Sequence, residues 1–478
     1  MLDCGLIAPF YSLIEHFIGT SRPPMPKRLI KKIKSILKGG ESANQLRANV
    51  ITDDKHHFDS SSTNAANAIK VVNTLTKAGY EAYLVGGCVR DGLLDLHPKD
   101  FDVSTDAHPE EIKALFNRNC RLIGRRFRLA HIRYGREIIE VATFRGHHSN
   151  STSKQQSSTS DHGMLLRDNV YGTLDEDAIR RDFTVNALYY RPADNAIIDY
   201  VNGYEDIQNR CLRIIGDPEL RYKEDPVRML RAIRFSAKLG FTLSTESEAP
   251  IQPQSQLLGL IPAARLFDEV QKLFMGGVAT EVWRQLLHYD LAQWLFPYSV
   301  PGKNKHPGAT AMIEHAMVNT DKRIAIGKSI NPAFLYAVML WGPLQVNWEK
   351  LKRDGIPPVP ALQQAIQQTL QKQAKHTTIP KRFVTTIREI WELQPRLNRR
   401  HIKPAQQLIE HQRFRAAYDL LLLREEAEET PPGLGEWWTE FQEADADAQK
   451  ALAAEHTQPR KKRRPARRRR PAKPKAQQ

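Results

Sequence analysis

Two aspartates separated by one residue, Asp100 and Asp102, carry the most specific chemical signal in the sequence. They lie in a predicted strand, where a period of two places both carboxylates on one face. Neighbouring carboxylates repel each other, and strands disfavour aspartate. Mg²⁺ would relieve both problems, because it takes a few carboxylates and completes its shell with water and substrate phosphates. The pair therefore predicts a metal site for phosphoryl transfer, although two surface aspartates on an edge strand or turn would give the same pattern.

A glycine pair, Gly86 and Gly87, lies upstream of these aspartates at the end of a predicted strand. Glycine lets the backbone approach a phosphate closely, and N–H groups at the start of a helix attract anions. Arg90 follows within the same short helix. The segment therefore predicts a phosphate cradle beside the metal site, although glycine pairs are also common in ordinary turns.

The motif GGxxRD followed by DxD resembles the polymerase-β-type nucleotidyltransferases. It is most similar to the class that contains bacterial poly(A) polymerases and tRNA CCA-adding enzymes. The similarity continues in IRRDFTVNAL at 179–188 and in EDPVR at 224–228. The resemblance implies that Asp100 and Asp102 are metal-binding catalytic carboxylates and that Asp182 is the third acid. It also implies an ATP site in which Gly86, Gly87 and Arg90 hold the triphosphate, Arg181 and Asn186 frame the nucleotide, and Asp225 and Arg228 read the base edge.

The residue patterns leave several alternatives open. Glu140, in the strand IIEVATF, rivals Asp182 as the third metal-binding carboxylate, because an acid among apolar residues is costly to bury unpaired. Arg228 and Arg231 share a helix face and could bind one ligand. Asp225 precedes Pro226 and is also well placed to cap that helix. A surface ion pair would equally explain the adjacent charges around Asp182.

The chain is basic, with 70 Lys and Arg against 54 Asp and Glu and a net charge of +16. Eleven of the cations lie between Arg460 and Lys475 without an acid, so the rest of the chain carries 16 − 11 = +5. A polycationic tail favours a nucleic acid partner. Four scattered cysteines, without a metal-binding or disulfide pattern, favour a reducing compartment. We find no apolar run long enough for an integral membrane segment and no secretory signal pattern, and we expect a cytoplasmic protein.

The predicted fold class is α+β. A polymerase-β-like nucleotidyltransferase head, with a mixed sheet and flanking helices, precedes an all-helical neck and body. The predicted domains are an N-terminal extension (1–60, partly disordered), the catalytic head (61–216), a nucleotide- and RNA-binding helical neck (217–280), a helical RNA-binding body (281–455) and a disordered Arg/Lys-rich tail (456–478). We also expect a basic amphipathic helix at 27–38 and a polar loop at 146–163.

Hydrophobic periodicity and punctuation by Gly and Pro give the elements. In the head we predict a helix at 65–77, strands at 83–85 and 101–104, and a hairpin of 129–134 with 138–144. In the second half we predict helices at 226–239, 264–274, 279–295, 332–340, 360–373, 382–392 and 404–422.

The segment LIGRRFRLAHI at 122–132, with Arg125, Arg126 and Arg128, resembles poly(A) polymerases rather than CCA-adding enzymes. The expected reaction is therefore addition of AMP from ATP to RNA 3′-hydroxyl ends, with release of pyrophosphate. The expected metal is Mg²⁺, with Mn²⁺ as an alternative. The expected partners are the 3′ ends of mRNA and other transcripts, ATP, and RNA-decay machinery. A CCA-adding enzyme and an inactive RNA-binding adaptor are the alternatives.

Overall fold

The computed structural model describes residues 46–52, 62–124, 128–146 and 170–456, together with the backbone of 157–159 and 165–168. The predicted basic helix at 27–38 and the tail from residue 457 onward lie outside the described residues. The unit that begins at Asn49 contains the whole sheet and all the helices given below.

An eight-stranded sheet dominates the first half. Its strands are β1 (Asn49–Thr52), β2 (Ala82–Val85), β3 (Asp102–Thr105), β4 (Cys120–Ile123), β5 (Leu129–Tyr134), β6 (Glu137–Thr143), β9 (Leu188–Arg191) and β10 (Ala196–Asp199). Their order across the sheet is β1-β10-β9-β2-β3-β6-β5-β4. Strands β3 and β6 pair in parallel, and every other neighbouring pair is antiparallel. The predicted mixed sheet is therefore confirmed.

Two further short pairs lie outside this sheet. Strand β7 (Ser157–Thr159) pairs antiparallel with β8 (Leu165–Asp168), and β11 (Cys211–Leu212) pairs in parallel with β12 (Thr242–Leu243). Strand β7 lies inside the predicted loop at 146–163, so part of that polar segment is paired. Strand β1 lies inside the predicted extension and pairs with β10 at the sheet edge.

Helix α1 (Thr63–Lys77) shows how the sequence builds the layer that covers the sheet. The Ser62 side chain accepts a hydrogen bond from the backbone N–H of Ala65 at 3.2 Å and so caps the helix start. Its buried residues recur at helical spacing, and the helix packs on β2, β3 and β6. The other head helices are α2 (Gly87–Leu93), α3 (Pro109–Phe116), α4 (Leu174–Arg180) and α5 (Gly203–Gln208).

The second half is helical apart from β12. It contains α6 (Pro218–Glu224), α7 (Val227–Leu239), α8 (Thr245–Glu248), α9 (Ile251–Gln254), α10 (Ala263–Phe274), α11 (Ala279–His288), α12 (Ala292–Leu295), α13 (Ala309–Ala325), α14 (Pro332–Met339), α15 (Trp341–Arg353), α16 (Pro358–Ala374), α17 (Lys381–Leu397), α18 (Ile402–Ile409), α19 (Phe414–Glu426), α20 (Leu434–Glu443) and α21 (Ala446–Glu455). One buried apolar cluster runs from α1 into α19, and a second surrounds Trp437, Trp438 and Phe441. Among the described helices, none is long and apolar enough to cross a membrane.

Candidate active site

Strand pairing at the centre of the sheet brings two carboxylates together. Asp102, the first residue of β3, is in register with Val85 of β2 on one side and with Glu140 of β6 on the other. Directly paired residues in a sheet point to the same face. Asp100 lies two residues before Asp102 and just outside the strand, which begins one residue later than predicted.

The electrostatics of this pair disfavour two full negative charges. Loss of solvent contact raises the pKa of Asp102 to about 6, Glu140 and Asp100 add to the rise, and Arg181 opposes it. The Asp102 side chain nevertheless keeps an open side toward solvent. A crowded carboxylate with one accessible face is suited to a cation ligand.

On the side away from Asp102, Glu140 has one polar contact among the described residues. Its Oε1 lies 3.2 Å from Nε2 of His131 in the neighbouring strand β5, and about half of its side chain is exposed. Glu140 is therefore beside Asp102 and still reachable by a ligand.

Asp182, the rival third acid, lies in a different environment. It accepts hydrogen bonds from the backbone N–H of Phe183 at 2.9 Å, from Nδ2 of Asn186 at 3.4 Å and from Nε of Arg231 at 2.6 Å. Burial acts to raise the pKa of Asp182, but the charge and hydrogen bonds of Arg231 outweigh it and the pKa is lowered. The structure thus places Glu140 next to Asp102, whereas Asp182 is occupied in holding Arg231 and Asn186.

Among the described side chains, no three His, Cys, Asp or Glu residues converge closely enough to enclose a metal ion by themselves. This donor set fits Mg²⁺, which binds one or two carboxylates and substrate phosphates rather than an all-protein cage. It does not fit a structural zinc site, which needs four protein ligands.

The glycine turn lies directly beside the carboxylates, at the end of β2. Gly86 has φ +79° and ψ −128°, a backbone conformation that residues other than glycine rarely adopt. Its N–H donates to the carbonyl of Leu188 at 3.2 Å. A Cβ at Gly86 would lie 3.5 Å from Nη1 of Arg181, so the turn faces that guanidinium closely.

Arg181 is fixed by a buried polar network under the site. Its Nε donates to the hydroxyl of Tyr189 at 3.1 Å, and its Nη2 donates to Oδ2 of Asp177 at 3.0 Å. Tyr189 donates to the same Asp177 oxygen at 2.7 Å, and Ser104 of β3 reaches it at 3.5 Å. Burial would lower the pKa of Arg181, but Tyr189 and Asp177 outweigh it and the pKa is raised. The guanidinium is therefore a fixed positive charge near Asp102. Sequence reasoning missed Asp177 and Tyr189, since neither stands out by spacing alone.

Arg90 lies against the turn at Gly86 and Gly87 rather than in open solvent. It is 3% exposed, its Nε donates to Oδ1 of Asp91 at 2.8 Å, and its Nη1 donates to Oδ1 of Asn186. The Arg90 guanidinium also lies 5.3 Å from the ring centroid of Phe235 in α7. Arg90 and Asn186 thus form one buried unit that links α2 to the neck.

The predicted base-reading residues at the start of α7 are tied to different partners. Oδ2 of Asp225 accepts from Nη2 of Arg265 at 2.7 Å, whereas Nη1 of Arg228 donates to Oε2 of Glu224 at 2.8 Å. Asp225 also accepts a long hydrogen bond of 3.3 Å from the N–H of Val227, so it contributes weakly to capping. Arg265 was not singled out from the sequence, because it lies 40 residues beyond Asp225 on another helix.

A cationic cluster surrounds Phe235 on the face of α7 that meets the head. The guanidinium carbons of Arg90, Arg231 and Arg234 lie 5.3, 5.2 and 4.3 Å from its ring centroid. Burial and the charge of Arg231 lower the pKa of Arg234, and its Nε is buried without a hydrogen-bond partner among the described residues. Such a cluster is stabilised by a polyanion. Sequence reasoning missed Arg234 because the family motif covers only the residues at the start of α7.

The segment at 122–132 is described only in part. Strands β4 and β5 form its two ends, and Arg128 pairs with the exposed Glu110. Arg125 and Arg126 lie outside the described residues.

A carboxylate pair on a mixed sheet, a glycine turn and an arginine cluster define a nucleotidyltransferase site. Comparison with known proteins agrees. The Poly A polymerase head domain matches residues 82–213, the Probable RNA and SrmB-binding site of polymerase A matches 240–300, and the Polymerase A arginine-rich C-terminus matches 354–473.

Similar proteins extend this match along most of the chain. Poly(A) polymerase I of Escherichia coli is 49% identical over 395 residues, which cover 81% of this chain and 85% of that protein. Poly(A) polymerase I of Haemophilus influenzae is 48% identical and covers 83% of this chain and 89% of its own length. The CCA-adding enzyme of Bacillus subtilis is 35% identical over 228 residues, 48% of this chain and 55% of its own. This chain belongs to the bacterial poly(A) polymerase family, so the predicted family and enzyme class are confirmed.

Solved structures support the fold. The CCA-adding enzyme of Bacillus stearothermophilus in complex with CTP superposes with a TM-score of 0.54 at 24% identity, over 80% of this chain and 82% of that one. The Thermotoga maritima CCA-adding enzyme complexed with tRNA gives a TM-score of 0.52 at 18% identity, over 86% and 85%. Membership of this family implies a nucleoside triphosphate substrate, a divalent metal and an RNA partner.

Proposed function

We propose that this protein adds AMP from ATP to RNA 3′-hydroxyl ends without a template, releasing pyrophosphate. The observation that carries the proposal is the in-register pair of Asp102 and Glu140, next to the Gly86 turn and the fixed guanidinium of Arg181. Carboxylates for a metal and cations for a triphosphate are what nucleotidyl transfer requires. We also propose that the protein is cytoplasmic and that RNA-decay machinery acts on the tailed RNA.

We assign Asp102 and Glu140 as the carboxylates that would hold Mg²⁺, or Mn²⁺ in its place, with Asp100 near enough to add its negative charge. When bound, the metal would acidify the RNA 3′-hydroxyl and neutralise charge on the triphosphate. Asp182 is then a positioning residue, because it fixes Arg231 and Asn186.

The chain's own cations would bind and orient the triphosphate. Arg181 is fixed beside Gly86, and Arg231 and Arg234 lie together on α7. Charge-assisted hydrogen bonds from arginine to phosphate are short and directional. These groups would align the α-phosphorus with the attacking hydroxyl and stabilise the departing pyrophosphate.

Base selection would come from side chains at the start of α7. Asp225 would accept a hydrogen bond from N6 of adenine, and Arg228 would donate to N1. Their present partners, Arg265 and Glu224, hold both groups in place without using all of their hydrogen-bonding capacity.

The test is extension of a labelled RNA by the full chain with each nucleoside triphosphate supplied alone. We expect long tails with ATP and little incorporation of the other three. Incorporation of CTP on tRNA, without long A tails, would instead identify a CCA-adding enzyme. No incorporation of any nucleotide would favour an RNA-binding adaptor.

A further inference from the structure

A small pocket in the helical body has no assigned role in nucleotidyl transfer. It lies between α15 and α16 and is closed by the segment 298–305 that follows α12. Its eleven lining residues include three lysines and no carboxylate. The pocket therefore has a positive electrostatic potential, which favours an anionic or electron-rich ligand.

The size and the walls of the pocket suit one aromatic ring system. Its volume is about 160 Å³, close to the ~150 Å³ of an engineered cavity that takes a benzene ring. Leu340, Pro343 and Val346 form an apolar wall, and Asn347 and Thr369 contribute polar groups. Ligand sites commonly combine apolar walls with a few polar groups.

Gln373 adds an unused acceptor to the lining. Its side chain is fully buried, and its Nε2 donates to the Leu295 carbonyl and to Oγ1 of Thr377, both at 2.7 Å. These two bonds fix the amide orientation and leave Oε1 without a partner among the described residues. Oε1 is itself buried, so a ligand would reach it only after a small shift of the pocket wall, and the cost of leaving an acceptor unpaired would favour that shift.

The mouth of the pocket combines an aromatic ring with the cations. Tyr298 is 44% exposed, and Nζ of Lys372 lies 5.9 Å from its ring centroid. Lys303 and Lys305 come from the closing segment, whereas Lys372 comes from α16, so two separate elements supply the charge. Single-stranded nucleic acid is bound by this combination of stacking rings and basic groups.

We propose that the pocket binds one nucleotide of the RNA acceptor strand, upstream of its reacting 3′ end. The base stacks against Tyr298 and enters the pocket, and the flanking phosphates contact Lys303, Lys305 and Lys372. This inference rests on the proposed RNA acceptor and deepens it by assigning a binding site in the body. Because the positive charge comes from two separate elements, an RNA strand that crosses the mouth of the pocket fits it better than a free nucleotide does.

The test uses the full chain and single-stranded oligo(A) of increasing length, with affinity measured by fluorescence anisotropy. The triple variant Lys303→Ala, Lys305→Ala, Lys372→Ala should bind long oligo(A) more weakly. Its plot of log affinity against log salt should also be shallower by about 2, which is roughly 0.7 for each phosphate that is no longer neutralised by a lysine. Tyr298→Ala should lose roughly tenfold in affinity, and Tyr298→Phe should restore it.

Two matched controls separate the pocket from general charge and from the chemistry. Lys375→Ala removes an exposed lysine from the C-terminal end of α16 that does not line the pocket, and it should leave the affinity nearly unchanged. The KM for ATP and the extension rate on the shortest accepted primer should match wild type in every pocket variant.

Unchanged affinity and salt slope for long oligo(A) in the triple variant would overturn the proposal. Equilibrium dialysis that finds a second ATP per wild-type chain, absent from the triple variant, would also overturn it in favour of a free-nucleotide site. The binding assay needs no catalysis, so failure of the proposed enzymatic activity would be seen separately in the extension assay.

Discussion

At the scale of single residues, the fold holds Asp102 where its own negative charge is unfavourable. The strand β3 is flanked in parallel by β6, and this pairing sets Glu140 directly beside Asp102. Partial burial and two neighbouring acids then raise the pKa of Asp102 to about 6. A carboxylate with a pKa perturbed in this way is typical of a functional site, and we propose that a cation relieves the repulsion here.

The first prediction follows from this pKa. The acid limb of the extension rate should lie near pH 6 at limiting Mg²⁺ and should move to lower pH as Mg²⁺ rises, because metal and proton compete for the carboxylate. An acid limb that stays fixed across metal concentrations would contradict the assignment.

The same shift gives a stability prediction for Asp102→Asn. The pKa of Asp102 rises from 3.8 to about 6 on folding. The Asp102 carboxyl therefore adds to the free energy of unfolding below about pH 4, where it is protonated, and this contribution is lost as the pH rises through 6. At pH 7.5 without metal, Asp102→Asn should stabilise the fold by ~1 kcal/mol after allowance for solvent screening. Extension should fall by about 10³-fold or more, since several kcal/mol of transition-state stabilisation are lost. Thermal unfolding and single-turnover extension measure the two effects.

A pair of variants distinguishes the two rival acids. Glu140→Gln should lower the maximal rate, raise the Mg²⁺ concentration needed, and lower the pKa of the acid limb, because one repelling charge beside Asp102 is gone. Asp182→Asn should instead raise the KM for ATP and reduce stability, since Arg231 loses its buried partner. If Asp182→Asn produced the metal effect and Glu140→Gln did not, the assignment would be reversed.

The residue patterns left these two acids about equal, and the family resemblance favoured Asp182. Their ranking depends on which strand lies beside β3. A parallel neighbour 38 positions away is set by the topology of the whole sheet, not by local spacing. For a similar reason the sequence did not single out Arg265, which lies 40 residues beyond its partner Asp225. Local patterns were enough to predict Asp100, Asp102 and the glycine pair as site residues.

At the scale of elements, the turn from β2 into α2 is a constrained connection of the site. Gly86 takes a backbone conformation close to glycine-only, and it faces Arg181. The N–H of Gly86 is bound to Leu188, so only the N–H groups after it, at the start of α2, could bind a phosphate within reach of a fixed guanidinium.

We predict that Gly86→Ala costs roughly 1–3 kcal/mol of stability and raises the KM for ATP. The matched control is Gly79→Ala at the end of α1. Gly79 has φ +88°, and a methyl group added to it would have nothing within 4 Å, so this variant tests backbone strain alone. Gly79→Ala should cost roughly 1–2 kcal/mol and leave the KM for ATP unchanged. Equal effects of both variants on that KM would show that the turn has no specific role in phosphate binding.

Elements with strong local patterns were predicted well. The hairpin of β5 and β6, the helix α1 and the helix α7 all form within one or two residues of the predicted bounds. The predicted helix at 279–295 is instead two helices, because Asp290 adopts φ +57° between them. Helix α15 was missed because Gly342 and Pro343 near its start resemble a breaker, yet both are tolerated in a first turn.

At the scale of the whole molecule, the sheet half and the helices that follow it are joined by residues of the site and by residues next to it. Arg231 of α7 pairs with Asp182 of the head, and Nη2 of Arg221 in α6 donates to the backbone carbonyls of Arg180 and Arg181 at 2.7 and 2.5 Å. Nucleotide binding at this junction would therefore be coupled to the orientation of the neck helices. The order of an α/β half before a helical half was readable from periodicity, whereas these joining contacts between distant segments were not.

The distribution of charge leads to the last prediction. The C-terminal run between Arg460 and Lys475 carries eleven of the chain's cations, more than two-thirds of its net +16. Removal of residues 457–478 should weaken binding of long RNA and flatten its salt dependence, by up to about 8 in log–log slope if every cation contacts a phosphate of a single strand. The rate on a saturating short primer should change little, because the carboxylates and the arginine cluster are retained.

Two tail variants of full length make this prediction specific. A tail with the same residues in shuffled order should bind like the wild type, because contacts with phosphates carry no sequence information. A tail with the eleven cations changed to Gln should behave like the deletion. The measurement is RNA affinity across a series of salt concentrations for the wild type, the deletion and both tail variants. A salt slope that is unchanged by deletion would show that RNA is bound by the helical body and the head alone.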